Sequence, residues 1–127
     1  MRAGSSIWVF FGLDASGKST VAEKWAERHG MSYFNSDRIR KGLAGISPTA
    51  RVEESVAQGI YSKEFSRRTY DELLRLAEVE ILKGRSAVLD ASYQSRGERK
   101  RLWVLAERLG VQVFFILCHC PENSRGE

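Results

Sequence analysis

Gly12-Leu13-Asp14-Ala15-Ser16-Gly17-Lys18-Ser19 fits the phosphate-loop pattern G-x-x-x-x-G-K-[ST] at every fixed position. No other stretch constrains the fold as much, because the pattern works only between a strand and a helix. Both flanks are present. Ile7-Trp8-Val9-Phe10-Phe11 is an apolar run of strand length, and Thr20 to His29 carries helical spacing. Gly12 and Gly17 permit backbone conformations that other residues resist, so successive N–H groups of the loop can point at phosphate oxygens. Lys18 then reaches the β- and γ-phosphates, Ser19 offers its hydroxyl to Mg²⁺, and the helix that starts there turns its positive dipole end to the same anion. Gly12, Asp14, Ala15, Ser16, Gly17, Lys18, Ser19 and Thr20 are therefore the nucleotide-binding candidates. A bare turn would need neither the lysine nor the hydroxyl.

The chain has 127 residues, 43% hydrophobic and 28% charged, which is the composition of an ordinary globular domain and excludes a disordered or fibrous chain. Residues 1–127 read as a single domain. No apolar run approaches the roughly 18 to 20 residues of a membrane span, and the apolar run before the loop is too short for a secretory signal. No membrane association is expected, and a cytoplasmic location is the default expectation. Cys118 and Cys120 suit a reduced compartment, and Cys118-His119-Cys120 lacks the second ligand cluster that a structural zinc requires. The net charge of +4 is compatible with an anionic partner, nucleic acid included.

Along the chain, Val21, Ala22, Trp25 and Ala26 face one side of the first helix, which Gly30 ends. Trp25 is expected to pack in the core, and His29 to sit as a cation in the last helical turn. Met31 to Asn35 reads as a second strand, with Ser36-Asp37 capping a helix that includes Arg38, Ile39 and Arg40. Gly42, Gly45 and Pro48 then make a loop to about Arg51, and Val56 and Ile60 favour a short helix. Ser62-Lys63-Glu64-Phe65 opens a long amphipathic helix that runs to Gly84. Ala87-Val88-Leu89-Asp90 is a third strand, Arg96 to Leu109 a helix ending at Gly110, and Val111 to Cys118 a fourth, apolar strand. Strands alternating with helices predict a three-layer α/β/α fold on a parallel sheet, with ligands at the carboxyl ends of the strands.

In such a sheet the loop after strand one, Asp37 after strand two and Asp90 ending strand three converge on one edge. Asp90 suits a Mg²⁺-bound water, or caps the next turn through Ser92. Asp37 suits the acceptor's general base, or caps its helix. Arg40, three residues on, shares a helical face with Asp37 and can steady that carboxylate or clamp an anionic acceptor; a surface role is the alternative. Asp14 more naturally faces the acceptor side than the phosphates. Arg67 and Arg68 on the long helix could reach substrate, with solvated surface the favoured reading.

With these residues placed, the chain resembles the P-loop kinases of the zeta-toxin and polynucleotide-kinase-like group. The resemblance is closest to the AAA-type ATP-binding kinase domain found fused to aminoglycoside-phosphotransferase-like domains. It rests on Gly12 to Thr20, Ser36-Asp37 with Arg40, Leu43 to Ala50, Tyr61 through Arg68-Thr69-Tyr70, and Gly84 to Ser92. It implies strand order 2-3-1-4-5 and transfer of the γ-phosphate of ATP to a hydroxyl. It also implies Asp37 as the acceptor-activating carboxylate, Arg40 on substrate phosphate, and Asp90 on the acceptor or the metal. Lys18, Asp37 and Arg40 are thus the catalytic candidates, Ser19 and Asp90 the metal candidates, and ATP and Mg²⁺ the cofactors.

In that group a lid helix bearing arginines and a fifth strand follow strand four, whereas this sequence ends at Pro121 to Glu127. The expectation is a P-loop fold without its lid and last strand, with an exposed sheet edge that favours dimerisation. Two functions follow: a phosphotransferase acting on a hydroxyl of a small molecule or nucleic acid, or an ATP/ADP-binding module in which an absent lid prevents transfer. A GTP switch is disfavoured, since no N-K-x-D-like motif follows a later strand.

Overall fold

A computed structural model describes residues 4–12, 18–46, 59 and 62–117, the side chains of residues 18 and 19 excepted. The elements in order are β1 (Ser6–Phe11), α1 (Lys18–Arg28), β2 (Ser32–Asn35), α2 (Ser36–Leu43), α3 (Lys63–Leu82), β3 (Ala87–Asp90), α4 (Arg96–Leu109) and β4 (Gln112–Leu117). The four strands form one sheet in the order β2-β3-β1-β4, and every neighbouring pair is parallel. Both the α/β class and the order of these four strands agree with the sequence reading.

The register sorts the side chains into two faces. Tyr33, Val88, Trp8 and Phe114 stand level across the four strands, and so do Asn35, Asp90, Phe10 and Ile116. These two rows share a face because side chains alternate along a strand. On it, Phe10 and Val88 pack against Ala22 and Ala26 of α1, with Trp8, Trp25, Met31, Tyr33 and Ile116 around them. Trp8 stacks on Phe114 with ring centroids 4.2 Å apart and tilts against Trp25 at 4.7 Å. Trp25 is therefore packing, as expected. His29 sits 4.2 Å from the Trp25 ring, with Nδ1 2.8 Å from the Trp25 carbonyl in the last turn of α1.

The opposite face carries the larger core. Ile7, Val9, Ala87 and Leu89 bury against Tyr70, Leu73, Ala77 and Ile81 of α3 and Leu102 and Ala106 of α4, with Ile39 of α2 joining at the β2 side. The result is the expected three layers.

The helix ends are built from side chains. Ser62 accepts from the Phe65 N–H and Ser95 from the Glu98 N–H, so each caps its helix. Gly110 ends α4 at φ 70°, a conformation that a β-carbon disfavours. Two expectations are corrected. The cap of α2 is Asn35, not the Ser36-Asp37 pair, which lies in the first turn. Two strands also begin one residue later than expected, β2 at Ser32 and β4 at Gln112. The loop residues Leu13, Asp14, Ala15, Ser16 and Gly17, the short helix expected near Val56, and Cys118 to Glu127 lie outside the described residues.

At the amino ends of the strands a polar clamp closes the sheet. Glu80 of α3 accepts from the Ser32 hydroxyl at 2.6 Å and from Arg85 Nε at 2.9 Å. The Arg85 hydrogen bond, then that of Ser32, hold the Glu80 carboxyl below the ordinary glutamate range. The other end of the sheet carries the candidate site.

Candidate functional site

Three segments leave the sheet at its carboxyl edge. β1 runs into Gly12, whose φ of 131° is one that glycine adopts without strain, and the chain resumes as α1 at Lys18. β2 runs directly into α2 and Asp37. β3 ends at Asp90. Because Asn35, Asp90 and Phe10 stand level, the ends of these strands lie side by side. The sequence expected this convergence of Asp37, Asp90 and the loop end, and the topology delivers it.

Asp90 is fully buried on the face that α1 covers. Its Oδ2 accepts a hydrogen bond from the Tyr33 hydroxyl and another from Asn35 Nδ2 at 3.0 Å. Asn35 Nδ2 also lies 3.1 Å from Tyr33 Oη, while Asn35 Oδ1 accepts the Arg38 N–H at 2.9 Å to cap α2. One amide therefore joins the strand-end acid to the helix that bears Asp37. Arg38 stands over the Tyr33 ring, 5.3 Å from its centroid, and pairs with Glu23 of α1 at 3.2 Å. That Glu23 hydrogen bond raises the Arg38 pKa. Tyr33 and Asn35 carried no motif in the sequence, since their role depends on a strand more than fifty residues away.

Asp37 is half-exposed in the first turn of α2, with Lys41 Nζ 3.5 Å from its Oδ2. Arg40 lies elsewhere than a surface role requires: it is buried, 7% exposed, and Nη1 donates to Ser66 Oγ of α3 at 2.7 Å. A pocket of about 450 Å³ opens beside it, walled by α2, the first turns of α3 and α4, and the segment after β3. Arg67 is exposed, as the sequence reading has it, and it also lines this pocket with Lys63 and Ser66. Arg68 instead lies over the Phe65 ring.

The segment after Asp90 is tied by side chains from α3 and α4. The Tyr93 N–H donates to Tyr70 Oη at 3.2 Å, and Arg99 Nη1 donates to the Tyr93 carbonyl at 2.6 Å. Tyr93 takes φ 47°, the one non-glycine residue with positive φ among the described residues. Its ring is buried, 4.9 Å from Tyr70, and burial drives its hydroxyl pKa far above the usual phenol range. The sequence gives no signal for this turn.

Among the described residues no group of three His, Cys, Asp or Glu is arranged to hold a metal ion. A buried strand-end carboxylate, Asp90, is the kind of single protein donor that suits a Mg²⁺ held largely by phosphate and water. Asp90 stands on the α1 face of the sheet, and Ser19 lies in the first turn of that helix. No described helix is long and apolar enough to cross a membrane.

Among solved structures, the chain is similar to a gluconokinase from Sinorhizobium meliloti, with 25% identity, TM-score 0.60, 98% of this chain and 62% of that one covered. It is also similar in fold to a candidate kinase from Chloroflexus aurantiacus, at 13% identity and TM-score 0.71, covering 90% of this chain and 59% of that one. A third match is the APS kinase of Mycobacterium tuberculosis in complex with AMPPNP and APS, at 22% identity and TM-score 0.55, covering 94% and 65%. The chain thus spans about three fifths of the length of the first two structures. No curated protein matches it. A family model described as an AAA domain matches residues 7–127, nearly the whole sequence, and its phosphate-loop pattern, parallel sheet and kinase-like strand order agree: the chain belongs to the AAA domain family.

Proposed function

We propose that the chain belongs to an ATP-dependent phosphotransferase that moves the γ-phosphate to a hydroxyl of a small molecule or nucleic acid. The observation that carries this reading is the parallel register. It sets the phosphate-loop end of β1, the α2 carboxylate and the buried strand-end acid along one edge, where a donor, an acceptor and a metal must meet. The gluconokinase likeness and the AAA family support it.

Under this reading Lys18 and the loop residues Gly12 to Thr20 hold the phosphates of ATP. Ser19 and Asp90 are the residues that would hold Mg²⁺, which when bound neutralises charge on the β- and γ-phosphates. Asp37 takes the proton of the acceptor hydroxyl as its oxygen bonds to the γ-phosphorus. The bond from that phosphorus to the β-γ bridging oxygen breaks, and ADP leaves. Arg40, which donates to Ser66, is the residue that would meet the acceptor. The finer placement in the zeta-toxin and polynucleotide-kinase-like group rests on Ser36-Asp37 with Arg40 and is part of the proposal.

The test is Asp37→Asn. ATP affinity measured by calorimetry stays within about threefold of wild type, whereas phosphotransfer falls by about a hundredfold or more, the range of a lost general base. Parallel loss of binding and turnover contradicts the assignment. Nucleotide binding with no transfer to any acceptor in the wild type favours the ATP/ADP-binding module instead.

A further inference from the structure

We infer that Tyr33 is a positioning residue of the site: together with Asn35 it sets the orientation of the Asp90 carboxylate, and through it the hold of the site on Mg²⁺. The metal role of Asp90 rests on the phosphotransfer reading above. Burial is the first argument. Asp90 is fully buried at the end of an otherwise apolar strand, after Ala87, Val88 and Leu89. Withdrawing a carboxylate from water is costly, and an apolar residue of similar size would serve a purely structural strand at least as well. An acid kept there with dedicated donors points to a use beyond packing.

Register is the second argument. Asn35 stands level with Asp90 across the β2–β3 pair, and Tyr33, level with Val88, shares that face. The tyrosine is long enough for its hydroxyl to reach along the sheet from the Val88 level to Asp90 Oδ2. Asn35 Nδ2 donates to the same oxygen at 3.0 Å, so both bonds fall on one side of the carboxylate. The terminal torsion of an aspartate is otherwise broad, and two donors on one oxygen therefore set the direction of the other. The third argument is that the donors are themselves held. Arg38 of α2 lies over the Tyr33 ring, 5.3 Å from its centroid, and pairs with Glu23 of α1. Asn35 accepts the Arg38 N–H through Oδ1, which fixes the direction of its amide. Supporting hydrogen bonds of this kind govern how well a ligand residue holds its metal.

The test is calorimetry of the full chain with AMPPNP, once with Mg²⁺ and once with EDTA, so that the gain in affinity brought by the metal is read for each protein. Wild type, Tyr33→Phe, Asp90→Asn and the double variant are compared, with urea unfolding alongside. Tyr33→Phe removes one hydroxyl and leaves the ring in place. It is expected to lower the gain from the metal by about tenfold, with metal-free AMPPNP affinity within about twofold of wild type. The double variant should lose no more than Asp90→Asn alone, since Tyr33 acts through Asp90. An unchanged gain in Tyr33→Phe overturns the inference, and that result decides even where Asp90→Asn fails to fold. A lower urea midpoint with the gain unchanged would mark the Tyr33 hydroxyl as structural only. Additive losses in the double variant also overturn it. A gain absent from wild type, or kept by Asp90→Asn, contradicts the metal reading itself, and the inference falls with it.

Discussion

Asn35 makes three contacts with one side chain: it caps α2, donates to Asp90, and meets the Tyr33 hydroxyl. Asn35→Ala therefore removes a helix cap and one donor to a buried carboxylate together. Urea unfolding should report a loss of about 2 kcal/mol, roughly one from each contribution; a loss indistinguishable from zero would contradict the linkage. This residue also shows where sequence reading stops. Asn35, Ser36 and Asp37 are all good capping residues, so the sequence leaves their order open. Partners on β3 decide it, by fixing Asn35 at the strand end with its amide toward Asp90. Glu80 provides the pH-sensitive counterpart at the other sheet end. Its folded-state pKa lies below the unfolded one, so its contribution is present above the unfolded value and disappears as pH falls through the folded value. Glu80→Gln should cost about 1–2 kcal/mol at neutral pH, with the difference from wild type shrinking below about pH 4. A pH-independent difference would assign the loss to packing.

Helices α3 and α4 were legible because periodicity and punctuation agree. Ser62 and Ser95 begin them, glycines follow them, and the faces bearing Leu73, Ala77, Ile81, Leu102 and Leu105 are buried. Ser95→Ala should lower stability by about 1 kcal/mol, read from a urea midpoint shift without a change in slope. What the pattern did not reveal is how the helices face each other. The Arg40 pocket exists because α2 leans on α3 and the two N-terminal turns converge, a tertiary outcome with no local signature. Arg67 is exposed, as its position implies, and the neighbouring elements make it a pocket wall as well. The Tyr93 turn was equally hidden, because its positive φ is held by Tyr70 and Arg99 rather than by a glycine.

The α3 and α4 face of the sheet carries the larger core, and the proposed site lies at the carboxyl edge. Leu73→Ala, at a fully buried position, should cost about 2–5 kcal/mol by thermal or urea unfolding. The exposed pairs between α3 and α4, such as Arg108 with Glu78 at 3.2 Å, should each contribute under about 1 kcal/mol. Fold class followed from the sequence because strand, loop and helix succeed one another with few alternatives, and the strand order followed from the family resemblance. The candidate site was legible as three strand-end positions, and the side chains that join them, Tyr33 and Asn35, were not. The central claim is that the loop from Gly12 to Ser19 holds a nucleotide at this edge. Calorimetry of the chain with ATP and Mg²⁺, on wild type and Lys18→Ala, tests it most directly. Saturable binding in wild type, weakened by about a hundredfold or more in the variant, is the predicted result. No wild-type binding, or equal binding by both proteins, would contradict it.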